Sequence, residues 1–140
     1  QKTAYEIVDC DWSSDVCSSD LMVLLELGGN DGLRGMPLAM TRANMDTMIT
    51  AFRGAGAQVV LAGMSLPPNY GPDYIRAFEK IFKDLAAKHQ ATLIPFLFAD
   101  ILTKDLRYFQ RDGIHPTAEG ADIISATVLR TIMPLLGSKP

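Results

Sequence analysis

The feature that most constrains the fold is a short apolar run that ends in a glycine-rich polar loop, LMVLLELGGNDGLRG, at residues 21–35. The run is too short for a membrane span and is typical of a buried parallel strand, which we expect over residues 22–27. Gly28 and Gly29 then free the backbone, and Asn30 tolerates a left-handed conformation. The loop should therefore be tight and hold the Asn30 amide in one place. In open α/β sheets ligands collect at such loops, outside the carboxyl ends of the strands.

Helical and strand patterns alternate after this loop. We expect a helix capped by Thr41 and ending near Gly54 and Gly56. A β-branched apolar segment at residues 58–64 predicts the next strand, which is followed by a turn-rich loop, SLPPNYGP, at residues 65–72.

The second half of the chain continues the alternation. Asp73 opens a helix with a basic last turn, residues 91–95 predict a third strand, and residues 100–111 predict a short helix with a loop. Thr117 is expected to cap the last helix. The helix faces expected to point inward consist of Ile75, Phe78, Ile81, Phe82 and Leu85 in the first helix and of Ile124, Val128, Leu129 and Ile132 in the last. This order predicts a parallel sheet covered by helices, with only three strands.

Composition excludes several classes of protein. A chain of 140 residues is one domain, and its net charge of -3 offers no basic surface for a nucleic acid. No segment is suited to stable membrane insertion, because residues 93–99 are apolar but short and contain Pro95. Cys10 and Cys17 match no zinc-binding pattern, so we expect neither a metal nor another cofactor. The sequence does not indicate an oligomeric state.

Residues 1–20, QKTAYEIVDCDWSSDVCSSD, differ from the rest of the chain. They show neither helical nor strand periodicity, and the pattern CDWSSD is partly repeated as CSSD. We expect an unstructured leader, which is either translated sequencing-adapter sequence or a natural disordered segment. It has no basic start leading into an apolar region, as a signal peptide would. Residues 21–140 form the folded part.

Asp112 and His115 lie three residues apart, across a glycine and just before a helix. This spacing lets the carboxylate bind one imidazole nitrogen while the other points outward, as a general base requires. Taken alone, it is more typical of a solvated turn at a helix entry, and a metal site would lack further ligands. Asn30 alone is also commonly a turn residue; its functional interpretation is an amide that donates a hydrogen bond to a developing oxyanion.

Two of these loops together resemble a known family. LGGND at residues 27–31 resembles the third conserved block of the SGNH, or GDSL, hydrolases, and DGIHP at residues 112–116 resembles their fifth. ELGGNDGLRG at residues 26–35 and LPPNYG at residues 66–71 are similar to the bacterial group of multifunctional acyl-CoA thioesterases, arylesterases and lysophospholipases. The resemblance covers residues 21–136. It implies a flavodoxin-like, three-layer α/β/α fold with five parallel strands, and a Ser-His-Asp hydrolase of esters and thioesters without a cofactor.

The resemblance also implies roles for individual residues. His115 would be the general base, Asp112 would orient it, and Asn30 would be the oxyanion-hole amide. The substrate-binding residues would be Gly29, Asp31, Pro67, Pro68, Asn69 and Tyr70, the last four lining an acyl-chain groove. The substrate would be a small acyl ester or thioester, and the parent protein would be periplasmic or secreted.

In the family, the nucleophile lies in a Gly-Asp-Ser motif after the first strand. The sequence departs from the family at this motif. The chain has no such motif; its serines are Ser13, Ser14, Ser18, Ser19, Ser65, Ser125 and Ser138. Because loss of a triad nucleophile can cost roughly a million-fold in turnover, we expect an inactive C-terminal part of a hydrolase domain. The first two strands would be missing, which would leave the strand at residues 22–27 with an uncovered edge prone to pairing with another chain.

Two other functions stay open at this point. The chain could be a non-catalytic module of the same fold that binds an acyl or carbohydrate ligand, or an unrelated flavodoxin-like binding or signalling domain. The sequence does not rank thioester, aryl ester and lysophospholipid substrates.

Overall fold

The computed structural model describes residues 21–136. The strands are β1 (Met22–Leu25), β2 (Gln58–Ala62) and β3 (Thr92–Ile94), and the α-helices are α1 (Gly29–Leu33), α2 (Leu38–Gly54), α3 (Pro72–His89), α4 (Ala99–Leu102) and α5 (Ala118–Leu136). Single 3-10 turns span Pro68–Tyr70 and Leu106–Tyr108. The leader predicted at residues 1–20 lies outside the described residues.

The three strands form one sheet in the order β1-β2-β3. β1 and β2 are parallel, with Met22 opposite Gln58 and Leu25 opposite Leu61. The three predicted strands are therefore confirmed, each shorter than the apolar segment that predicts it. The chain divides into two compact units after Leu93, so β3 runs across the division.

The core of the first unit lies between the sheet and helices α2 and α3. Its buried side chains include Met45, Ile49, Val59, Leu61, Phe78, Ile81, Phe82 and Leu85. Phe78 and Phe82 pack edge to face, with ring centroids 5.2 Å apart. The inward face predicted for α3 is confirmed, because four of its five members are buried and Ile75 is partly buried against them. Each fully buried side chain of this size contributes about 1.5–3 kcal/mol to folding.

Two expectations for the first unit are wrong. β1 is not buried on both faces, since Leu24 is 43% exposed. The uncovered edge expected for this strand is confirmed within residues 21–136, where β1 pairs with β2 alone. Thr41 does not cap α2, which begins at Leu38 because the Pro37 carbonyl accepts the first helical hydrogen bonds, from the N–H groups of Met40 and Thr41. Thr41 instead lies within α2, and its side chain is buried.

The second unit contains α4 and α5. Thr117 caps α5 as expected, because its hydroxyl accepts a hydrogen bond from the Gly120 N–H at 3.2 Å. Asp100 ties α4 to α5 by accepting from the Thr127 hydroxyl at 2.6 Å and from Arg130.

The inward face predicted for α5 is wrong in part. Leu129 is 51% exposed, and Ile124, Val128 and Ile132 are only partly buried. Helical spacing identifies residues that share a face but does not determine how much of that face is covered. No helix within residues 21–136 is both long and apolar enough to cross a lipid bilayer.

Candidate active site

The loop after β1 turns at Gly28 and continues directly into the short helix α1. Gly28 has φ +95°, a conformation that favours glycine, and its carbonyl accepts hydrogen bonds from the N–H groups of Asp31 and Gly32, both at 3.1 Å. The expected left-handed residue is thus Gly28 rather than Asn30, which lies in the first turn of α1. Asn30 is exposed, and its amide has no hydrogen-bond partner among residues 21–136. The amide is therefore available to a ligand.

The loop after β2 packs directly against α1. The Tyr70 hydroxyl donates a hydrogen bond to the Leu33 carbonyl at 2.6 Å, and the Met64 side chain reaches Gly29. Leu66 is buried beside Gly32, so closely that a Cβ on that glycine would lie 2.9 Å from Leu66 Cδ2. The structure thus brings the two predicted loops together at the carboxyl ends of parallel strands.

The predicted groove residues occupy different positions in this second loop. Pro67, Pro68 and Asn69 are exposed, whereas Tyr70 is partly buried and anchors the loop. Sequence reasoning did not identify a second anchor, the Tyr74 hydroxyl, which donates to the Met36 carbonyl at 3.1 Å. Tyr70 and Tyr74 stack with ring centroids 6.4 Å apart. No sequence signal identified this pair, because Tyr70 lies in the 3-10 turn before α3 and only Tyr74 lies in the helix.

Asp112 and His115 form a hydrogen-bonded pair in the second unit. Asp112 Oδ2 lies 2.7 Å from His115 Nδ1, and Asp112 Oδ1 accepts from the backbone N–H groups of Ile114 and His115 at 2.9 and 3.0 Å. Gly113, with φ +69°, turns the backbone between them. The His115 side chain is 70% exposed. The two side chains are therefore hydrogen-bonded to each other, in an exposed turn just before α5.

These hydrogen bonds keep the Asp112 carboxyl ionised. The His115 side chain, followed by the His115 and Ile114 N–H groups, lowers the pKa of Asp112 to about 2. Asp112 is therefore ionised at neutral pH, and a carboxylate acceptor requires the proton on Nδ1 of a neutral His115 ring. Nε2 is then the unprotonated nitrogen, which can take a proton from a hydroxyl group.

His89, the other histidine, serves a different purpose. Its side chain is 12% exposed and pairs with Asp46 across the contact between α3 and α2, where Lys88 binds the same carboxylate at 2.6 Å. The sequence placed His89 at a helix end but gave no sign of a partner 43 residues away. Within residues 21–136, no three side chains of the metal-ligating types cluster together.

The family follows from a match over most of the chain. Residues 8–123 match the model of the GDSL-like Lipase/Acylhydrolase family. The chain belongs to this family. Membership excludes the interpretation as an unrelated flavodoxin-like domain.

Three curated relatives of this GDSL-family chain are enzymes by name. The chain is 43% identical over 115 residues to Esterase TesA of Pseudomonas aeruginosa, covering 82% of the chain and 57% of that protein. It is 38% identical over 112 residues to the arylesterase of Vibrio mimicus, with coverage of 80% and 56%. It is 35% identical over 114 residues to Thioesterase 1/protease 1/lysophospholipase L1 of Escherichia coli, with coverage of 81% and 54%. The chain thus spans little more than half the length of these relatives.

Solved structures confirm the fold class. The crystal structure of TesA matches with a TM-score of 0.77 at 42% identity, covering 82% of this chain and 63% of that one. The psychrotrophic esterase EstA from Pseudoalteromonas, inhibited by monoethylphosphonate, also gives 0.77, at 32% identity with coverage of 84% and 63%. AlinE4, an SGNH-hydrolase family esterase, gives 0.65 at 30% identity with coverage of 96% and 68%. The fold is the α/β fold of SGNH hydrolases, with three strands in the described residues.

Proposed function

We propose that this chain is part of a serine hydrolase of carboxylic esters and thioesters. The observation that carries the proposal is the Asp112–His115 pair, in which Nδ1 contacts a carboxylate that two backbone N–H groups also hold. The relatives named esterase, arylesterase and thioesterase support the substrate class.

In the proposed mechanism, each residue acts on one proton or one charge. His115 Nε2 takes the proton from a serine hydroxyl as that oxygen attacks the acyl carbonyl carbon. Asp112 stabilises the resulting imidazolium, and the Asn30 amide donates a hydrogen bond to the oxyanion of the tetrahedral intermediate. His115 then returns the proton to the leaving alcohol or thiol. Water hydrolyses the acyl-serine through the same base.

We infer that neither serine described by the structure is the nucleophile of this mechanism. The Ser65 hydroxyl donates to Glu79 at 2.6 Å, and the Ser125 hydroxyl donates to the Ala121 carbonyl of its own helix at 2.8 Å. The remaining serines lie outside the described residues, and none follows a Gly-Asp pair. We therefore propose that the 140-residue chain does not turn over esters by itself.

The loop after β2 is proposed to line the acyl side of the site. The exposed Pro67, Pro68 and Asn69 would contact the acyl chain, and Gly29 and Asp31 would flank the carbonyl next to Asn30. The anchoring of this loop on α1 through Tyr70 supports the assignment. By the same resemblance the parent protein would be periplasmic or secreted, which fractionation of cells expressing the parent gene would test.

A chimera tests the assigned roles. Residues 21–136 would replace the aligned segment of Pseudomonas aeruginosa TesA, whose remaining part would supply the nucleophile, and hydrolysis of p-nitrophenyl butyrate would be measured. We expect turnover that falls roughly a million-fold in His115→Ala and about a hundred- to a thousand-fold in Asn30→Ala. Asn44→Ala, at an exposed asparagine of α2, is the matched control and should leave turnover unchanged.

The chimera also separates the catalytic function from the alternative. Full turnover in a folded His115→Ala chimera would contradict the proposal. A folded chimera that binds a phosphonate ester analogue without cleaving esters would instead favour the non-catalytic acyl-binding module.

A further inference from the structure

Gln110, which neither the motifs nor the mechanism uses, contacts the DGIHP loop with three of its polar groups. Its backbone N–H donates to the His115 carbonyl at 2.7 Å, and its backbone carbonyl accepts from the Gly113 N–H at 2.9 Å. Its side-chain Nε2 donates to the Pro116 carbonyl at 3.0 Å. Two further contacts close the loop: an antiparallel bridge between Phe109 and Pro116, and the hydrogen bond from the Thr117 N–H to the Tyr108 carbonyl at 2.8 Å.

The side-chain contact has a specific chemical reason. Proline has no backbone N–H, so Pro116 can join a hydrogen-bond ladder only through its carbonyl. That carbonyl and the preceding one, of His115, both bind Gln110, one through the side chain and one through the backbone. The Gln110 backbone thus holds the peptide between His115 and Pro116, while the Gln110 side-chain amide holds the next peptide, between Pro116 and Thr117.

Because these hydrogen bonds hold residues 115–116, they bear directly on the Asp112–His115 dyad. The Nδ1 to Oδ2 hydrogen bond of 2.7 Å depends on where the backbone of His115 lies relative to Asp112, which binds the His115 N–H as well. A hydrogen bond weakens steeply once its distance or angle departs from the ideal, so a small drift of the 115–116 segment would uncouple the ring. A residue that holds both carbonyls of this segment limits such drift.

We propose that Gln110 is a positioning residue for the Asp112–His115 pair. Its side-chain amide keeps the imidazole aligned with the carboxylate, and so keeps the proton on Nδ1 and Nε2 free to act as the base. The functional meaning of this role rests on the proposed hydrolase mechanism. The physical claim concerns the dyad alone and can be tested without turnover.

The test is NMR on the full 140-residue chain. Gln110→Met keeps the length of the side chain and removes its donor, and Gln110→Ala is a second variant in case the first perturbs folding. Gln58→Met, at an exposed glutamine at the start of β2, is the matched control. The measurements are the carboxyl-carbon titration of Asp112, the nitrogen shifts of the His115 ring and the thermal midpoint.

The expected result is a local uncoupling of the dyad. The Gln110 variants should raise the pKa of Asp112 by at least about half a unit, toward the ordinary aspartate value of about 3.9, and should shift the ring nitrogens toward mixed tautomers. The thermal midpoint should stay within about 2 °C of the parent chain, as expected for an exposed side chain, and Gln58→Met should change none of the three.

Two results would overturn the proposal. An unchanged Asp112 pKa and unchanged ring shifts in both Gln110 variants would show that the dyad does not depend on the amide, and would leave the hydrolase proposal intact. An Asp112 that titrates at its ordinary pKa in the parent chain, and does not respond to His115→Gln, would show that the dyad does not form. That second result would contradict the proposed function as well.

Discussion

At the scale of single residues, two glycines lie where an added side chain would meet its neighbours, Gly32 beside the Asn30 turn and Gly120 beside the DGIHP loop. A Cβ on Gly120, in the first turn of α5, would meet the Tyr108 carbonyl oxygen, a backbone atom that also accepts a hydrogen bond from the Thr117 N–H. A Cβ on Gly32 would meet the side chains of Phe78 and Leu66 within 3 Å. Close neighbours, side chains at Gly32 and a backbone oxygen at Gly120, explain why glycine occupies these positions.

Gly120→Ala should therefore destabilise the chain by about 1–3 kcal/mol, because a backbone oxygen cannot move aside as a flexible side chain can. Gly54→Ala is the matched control, since a Cβ at the last residue of α2 has nothing within 4 Å and should stabilise by about 0.4–1 kcal/mol. Urea unfolding of the two variants measures both effects. Equal stabilities would contradict the close contact at Gly120.

Because of the Asp112 carboxylate, we expect the stability of the chain to depend on pH. Its pKa in the folded chain, about 2, lies below the ordinary value of about 3.9, so its contribution to stability is fully present above that value and is lost as the pH falls toward 2. The difference in unfolding free energy between the parent chain and Asp112→Asn should be constant above pH 5 and shrink between pH 4 and 2. A difference that persists unchanged at pH 2 would refute this.

At the scale of elements, the sequence predicted what local spacing controls and missed what packing controls. The buried face of α3 followed from the spacing of Phe78, Ile81 and Leu85. The exposure of Leu129 in α5 and the burial of Thr41 in α2 could not follow from spacing, since they depend on what covers each helix. The Asp112–His115 contact could be predicted from the sequence because it is local. The anchors of the Asn30 turn could not, because they join segments more than 30 residues apart.

The contact between α2 and α3 gives a prediction at this scale. Asp46 of α2 binds Lys88 and His89 of α3, and these hydrogen bonds lower the pKa of the Asp46 carboxyl. Asp46→Asn should lower the free energy of unfolding by about 1 kcal/mol at neutral pH, an effect that should fade as the pH falls below about 4.

The control for this contact is Asp73→Asn. Asp73 pairs with Arg76 three residues away on the exposed surface of α3, where an ion pair contributes about 0–1 kcal/mol and typically little. Chemical denaturation at pH 7 and pH 3 compares the two variants. Equal losses of stability at pH 7 would show that the pairing between the helices adds nothing beyond a surface ion pair.

At the scale of the whole molecule, the chain is a GDSL-family α/β chain that spans little more than half the length of its curated relatives. It carries two loops to which we assign the proposed chemistry, one around Asn30 and one around His115. The family could be predicted from the sequence because its motifs are short, local and ordered along the chain. The position of a catalytic serine could not be predicted, because no Gly-Asp-Ser occurs in the 140 residues.

The most direct test of this account is hydrolysis of p-nitrophenyl butyrate by the purified 140-residue chain, beside His115→Ala and Asn30→Ala. The account predicts that a folded sample shows no turnover above buffer and no labelling by a fluorophosphonate. Turnover that both substitutions abolish would contradict it. The chain would then contain its own nucleophile, and the fluorophosphonate adduct would identify that serine by mass spectrometry.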